Sequence, residues 1–182
     1  TLIKLQELQN ADGAWSWYKG MPGSRSMTGY ITELLVRLPL LTGQQNSADA
    51  FSMQQRAFNY LHSQALQEYQ NIRKAEKNGT KIDNLSYPAM TYLYLIAISG
   101  ERVPSEAAYR YFLSMVGKNL SSNAMGVKAQ SAIILQKAGR TAEANEFIAS
   151  IKEHLVQTDE RGAYFAFYER PFLWGTQPIS VH

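Results

Sequence analysis

The chain has 182 residues, 45% of them hydrophobic and 18% charged, which suits one globular domain with a sizeable core and excludes intrinsic disorder. Its net charge of +3 comes from 18 Lys and Arg against 15 Asp and Glu. The basic residues are dispersed, apart from Arg73, Lys74 and Lys77 around Glu76, whereas a nucleic-acid surface shows a clustered basic face. There is no cysteine, so no disulfide, Cys-ligated metal, thiol nucleophile or thioester can form within this chain.

In chain order, the first predicted helix is Leu2 to Leu8, with Leu2, Leu5 and Leu8 at helical spacing, closed by Ala11-Asp12-Gly13. A second helix is expected from about Thr28 to Leu41, with Ile31, Leu34, Leu35, Leu38 and Leu41 on one stripe. Ser26 or Thr28 is its expected cap, and Gly43 lies just past its end. The third spans about Phe51 to Lys77, turning Phe51, Phe58, Leu61, Ala65, Tyr69 and Ile72 inward, and Asn78-Gly79-Thr80 ends it.

The fourth, about Ser86 to Ser99, contains AMTYLYLIAI and is apolar nearly all round, so it requires neighbours on most sides. The fifth, Ser105 to Val116, returns to a single stripe of Ala108, Tyr111, Phe112 and Met115. The sixth, about Ser122 to Ala138, is again broadly apolar. The seventh, Thr141 to Val156, is amphipathic through Ala144, Phe147, Ile148, Ile151 and Leu155. The period then changes: RGAYFAFYERPFLW reads as a short β-hairpin or extended loop, and TQPISVH as a helix start.

Helices two, four and six are thus the more enclosed, and three, five and seven keep one wet face. Helical hairpins laid side by side in an inner and an outer layer produce that alternation. A four-helix bundle does not, because its helices are equivalent. The expected fold is all-α: an α-solenoid or, with so weak a repeat, a partial α/α-toroid in one domain over residues 1–182. No apolar run spans a bilayer. Because Thr1 falls on a helical pattern and His182 at a helix start, the chain reads as a piece of a larger multidomain protein.

The stretch LQNADGAWSWYKGMPGSRSMTGYITELLVRL carries the most information about family. An Asp-Gly turn followed by an aromatic reverses the chain while the ring covers a helix end. Gln9 is placed to bond free helix-terminal groups. Gln, Asp-Gly, an aromatic and a Thr-led inner helix resemble the repeat of α/α-toroids in terpene cyclases, prenyltransferases and the α2-macroglobulin/complement family. With KAQSAIILQKAGRTAEANEFIASI and GAYFAFYERPFLWGTQPISVH in that order, the chain looks most like the toroid domain of bacterial α2-macroglobulin-like proteins. The middle of the chain matches only in its helical pattern.

That resemblance implies a structural domain of a cell-envelope protein, periplasmic or outer-membrane-associated, that traps proteases. Its expected partners are other domains of the same parent chain and, through them, target proteases. The family's thioester motif of Gly-Cys-Gly-Glu-Gln type has no counterpart here, so no thioester residue is carried over.

Inventory of reactive side chains leads the same way. Class I and II terpene cyclases need clustered aspartates, whereas Asp12, Asp49, Asp83 and Asp159 are separate. Prenyltransferases hold zinc with a Cys. His62 and His154 are expected on solvated helix faces, His182 is uninterpretable, and Glu33 is expected to meet first-turn amides of its helix. No catalytic, metal or cofactor residue is assigned. The expected packing or protein-contact residues are Trp15 and Trp17 in the opening turn, and Tyr164, Phe165, Phe167, Tyr168 and Trp174 in the aromatic segment. The alternatives are a helical-repeat scaffold for protein contact and a fragment of a cyclase-like enzyme.

Overall fold

A computed structural model describes residues 2–122, 124–160 and 162–165. Its seven helices are α1 (Leu2–Glu7), α2 (Arg25–Thr42), α3 (Ala48–Lys77), α4 (Tyr87–Ser99), α5 (Glu106–Val116), α6 (Met125–Lys137) and α7 (Thr141–Lys152). A 3₁₀ segment, Gly117–Ser121, joins α5 to α6. A hairpin of β1 (Leu155–Thr158) and β2 (Gly162–Phe165) follows α7.

Serines set four of the helix starts. Ser24, Ser47, Ser86 and Ser105 each accept the amide of the residue three further on, satisfying a first-turn donor. Gly43 and Gly100 close α2 and α4 in the left-handed conformation. Pro39 interrupts the ladder inside α2, since it has no N–H to give the Leu35 carbonyl. Asn46 Nδ2 supplies that bond instead, at 2.9 Å, and the helix continues.

Cross-links between helices give the layering. Arg25–Glu68 and Asn46–Gln54 show that α3 runs back along α2. Glu68–Ser86, His62–Tyr92 and Gln55–Glu101 show that α4 runs back along α3. Tyr30–Tyr87 and Arg37–Tyr94 therefore join two helices that point the same way, α2 and α4. In turn α4 packs on α6, while α3 packs on α1 and α5. The result is an all-α domain: helical hairpins with α2, α4 and α6 in one layer and α1, α3, α5 and α7 in the other. This is the layout of a partial α/α-toroid, with one short β-hairpin added.

The core sits between the layers. Phe58, Leu61, Leu93, Leu95, Phe112, Ile134, Leu135 and Phe147 are buried there, as is Ile96. Nearly the whole of α4 is enclosed, as its continuous apolar run requires.

Several boundaries and burials differ from the sequence reading. The cap of α2 is Ser24, not Ser26 or Thr28, and the helix starts at Arg25. It turns Thr28, Gly29, Thr32, Leu35 and Val36 inward. Leu34 and Leu41 therefore fall on the opposite side and are exposed, and Leu38 is half-buried. Phe51 is also exposed, because α3 begins at Ala48 and buries Ala50, Met53 and Ala57. Ile133 is more exposed than expected, its neighbours Ile134 and Leu135 taking the buried face of α6.

The seventh helix ends at Lys152, and Leu155 and Val156 belong to β1 instead. They pair with Phe165 and Tyr164 in an antiparallel register that continues to Thr158 opposite Gly162. The hairpin thus begins six residues earlier than expected, and Leu155 is exposed. Expectations for Phe167, Tyr168, Trp174 and His182 lie outside the described residues.

Candidate functional site

The opening turn is built around Gln9, Gly13 and Trp15. Gln9 is buried, and its Nε2 donates to Gly13 O at 2.8 Å and to Met53 O of α3 at 3.0 Å. Both acceptors are carbonyls, so the amide orientation is fixed and Oε1 is left without a hydrogen bond among the described residues. Arg56 Nη2 donates to Asn10 O at 2.8 Å, a second tie from the turn to α3.

Gly13 lies at φ +88° with the Arg56 backbone so close that an added Cβ would be 2.2 Å from Arg56 O. Glycine is therefore required twice over, by conformation and by space. Asp12 Oδ1 accepts from Ala14 N at 3.1 Å, so the Asp-Gly pair closes the reversal.

Trp15 is 2% exposed and packs with Leu35, Ala50, Met53 and Ala57, flanked by Leu2, Leu5, Met27 and Ile31. Its indole Nε1 donates to Leu5 O in the last turn of α1, at 2.8 Å. The ring thus bonds a helix-terminal carbonyl directly and shields it as well. The backbone of Trp15 is held by α2: its N–H donates to Thr28 Oγ1 at 2.9 Å, and its carbonyl accepts from Ser24 N at 2.8 Å. Thr28 serves the turn rather than capping the helix.

Trp17 points the other way. It is 59% exposed and Tyr18 beside it 75%, on a loop held by side-chain bonds. Asn10 Nδ2 donates to Ser16 Oγ at 2.8 Å, Ser16 Oγ donates to Met21 O at 2.7 Å, and Met21 N donates to Tyr18 O at 3.2 Å. Between this loop, α1 and α2 lies a recess of about 460 Å³, with Leu5, Trp15, Met27 and Ile31 among its apolar lining. Gln9 lines it too, and Glu7 and Lys19, both exposed, bring one charge of each sign.

The other residues weighed from sequence have structural surroundings. His62 is half-buried rather than solvated: its ring stacks on Phe58 at 6.0 Å and its Nδ1 shares a 2.9 Å hydrogen bond with Tyr92 OH. Burial holds its pKa below the ordinary imidazole value, with Glu101 acting in the opposite sense. Burial also pushes the Tyr92 phenol up to about 12. Near α7's end, His154 is half-buried, its Nδ1 2.8 Å from Ser150 O.

Glu33 sits beyond the first turn of α2 and pairs with Arg37 at 2.8 Å instead of meeting first-turn amides. Tyr164 and Phe165 are half-buried on β2. No group of three or more His, Cys, Asp or Glu among the described residues is placed to hold a metal.

The structure therefore brings Trp15 and Trp17 to one turn with opposite tasks, and joins neither to Tyr164 or Phe165 through any described contact. Spacing did not point to Tyr18, Arg56 or Met53 as parts of this site. The exposed ring of Tyr18 follows Trp17 directly in sequence, but the α3 partners are more than forty positions away and leave no local signal. Comparison of the chain with family models, with curated proteins and with solved structures found no match.

Proposed function

We propose that this chain is a structural toroid-type domain of a bacterial cell-envelope protease trap of α2-macroglobulin-like kind, with no chemistry of its own. Its partners on this reading are other domains of the parent chain and, through them, a target protease. The carrying observation is the turn from α1 into α2. There Gln9 and Gly13 dock the turn on α3 and Trp15 joins outer α1 to inner α2, in the residue order that underlies the resemblance. The two-layer packing around α4 supports the same reading, since such a domain acts as a rigid partner.

The test uses the purified chain, incubated with a panel of proteases and with methylamine and read by intact mass. The expected result is no mass shift and no inhibition, because a trap needs a bait segment and an enclosure from elsewhere in its parent. An amine adduct or stoichiometric inhibition overturns the reading. Within the parent protein, amide protection across α3, α4 and α5 is expected to stay unchanged when a protease cleaves it. A loss of that protection overturns the rigid-domain role.

A second reading is a helical-repeat scaffold for protein contact. It is favoured by the face of α2 opposite the core, where Tyr30, Leu34 and Leu41 are exposed. Capture of a partner that is lost on substituting Leu34 and Leu41 by Ser would favour it over the trap.

A further inference from the structure

We infer that the recess beneath the Ser16–Met21 loop binds a sugar ring, seated with its apolar face on the Trp17 indole. This goes beyond the structural role, which does not use the recess.

Four observations carry it. First, Trp17 and Tyr18 present two large rings to solvent, 59% and 75% exposed, next to a turn whose neighbour Trp15 is almost wholly buried. Folding gains little from rings left in water, so their exposure is not explained by the core. Second, the loop that carries them is fixed in advance by the Asn10–Ser16–Met21 chain of hydrogen bonds. A platform already ordered loses little further freedom when a ligand arrives.

Third, the recess is of ligand size, about 460 Å³, and apolar with a few polar groups, the composition of a small-molecule site. Fourth, the polar groups match hydroxyls better than they match an ion. Glu7 and Lys19 cancel in charge, so a charged ligand is attracted by one and repelled by the other. A hydroxylated ring donates to the first and accepts from the second.

The C–H groups on one face of a pyranose carry partial positive charge from the neighbouring oxygens. They meet the negative face of the indole, and this fixes the orientation.

The experiment titrates the purified 182-residue chain with cellotriose and with chitotriose, followed by tryptophan fluorescence and by proton NMR of the indole N–H signals. Saturable binding of at least one of the two, at a dissociation constant of about 1 mM or tighter, is expected. Trp17→Ala should weaken it by about tenfold or more, and Trp17→Phe, which keeps a ring, should retain most of it. Circular dichroism checks that both variants stay folded, and Leu40→Ala, a distant exposed control, should bind like the parent chain. Absence of saturation by either sugar overturns the proposal, as does equal binding by Trp17→Ala. Saturation by an extended peptide library in place of the sugars overturns it too.

Discussion

Trp15 and Leu5 are joined by a hydrogen bond of 2.8 Å from the indole Nε1 to the backbone carbonyl. One side chain therefore fills the small core between α2 and α3 and finishes the end of α1. Trp15→Ala removes both and should destabilise the domain by about 3–5 kcal/mol, the range for large aromatics lost from cores. Trp15→Phe keeps most of the packing but orphans the Leu5 carbonyl, and should cost about 1–3 kcal/mol. Trp17→Ala should stay within about 0.5 kcal/mol of the parent, as an exposed position. Urea unfolding of the three variants measures the ranking, and equal losses at positions 15 and 17 would sink it.

Two glycines separate strain from space. Gly13 and Gly79 have nearly the same positive φ, +88° and +86°. A side chain at Gly79 meets nothing within 4 Å, whereas at Gly13 it meets Arg56 O. Alanine at either position carries the left-handed penalty of about 1–2 kcal/mol. At Gly13 the close approach should add about 1–3 kcal/mol more. A Gly13→Ala variant as stable as Gly79→Ala would mean that the turn is not docked on α3.

The half-buried His62 gives a pH dependence with a definite sign. Phe58 stacks on it from α3, Tyr92 bonds it from α4, and Glu101 lies just past α4. Burial outweighs Glu101, so the folded pKa lies below the unfolded value of about 6.5. The unfolded chain then binds more protons as pH falls through that value. The stability contribution is fully present above the unfolded pKa and is lost as pH falls toward the folded one. Chemical denaturation between pH 7.5 and pH 5 (about that window, set by the imidazole value) should show the parent losing more stability than His62→Gln. Parallel curves would refute the assignment.

Leu93 and Leu34 look alike in a hydropathy pattern but have different roles. Leu93 is fully buried in α4 and Leu34 is 51% exposed on α2. Leu93→Ala should cost about 2–5 kcal/mol, and Leu34→Ala about 0.5 kcal/mol or less. Thermal unfolding of the pair checks this. A large loss at Leu34 would indicate that its face is covered in solution.

The sequence pattern made the helices and their alternation legible because both depend on local periodicity. The apolar run of α4, for example, could only belong to an enclosed helix. Burial within α2 was not legible for a physical reason. The first two turns of its inward face are Thr28, Gly29 and Thr32, small or polar residues that admit a close neighbour: a Cβ on Gly29 would be 3.1 Å from Thr91 Cγ2. A reading that follows bulk assigns that face to Leu34 and Leu41 instead. The end of α7 was misplaced because Leu155 continues the helical stripe, while its strand pairing depends on Phe165, ten positions later. At the candidate site, the pattern marked both tryptophans of the turn, but neither their opposite burial nor the ties from Gln9 and Arg56 into α3 left a local signal.

The shared direction of α2 and α4 has an electrostatic consequence. Peptide dipoles in the two helices add rather than cancel, so the edge bearing Ser24 and Ser86 holds two partial positive poles side by side. Glu68 lies between them and takes bonds from both starts, from Arg25 and from Ser86 Oγ. One carboxylate on the outer layer thus acts as a shared counter-charge for two inner helices. Replacing it by alanine would loosen both helix starts at once, spreading a single substitution across three elements of the fold.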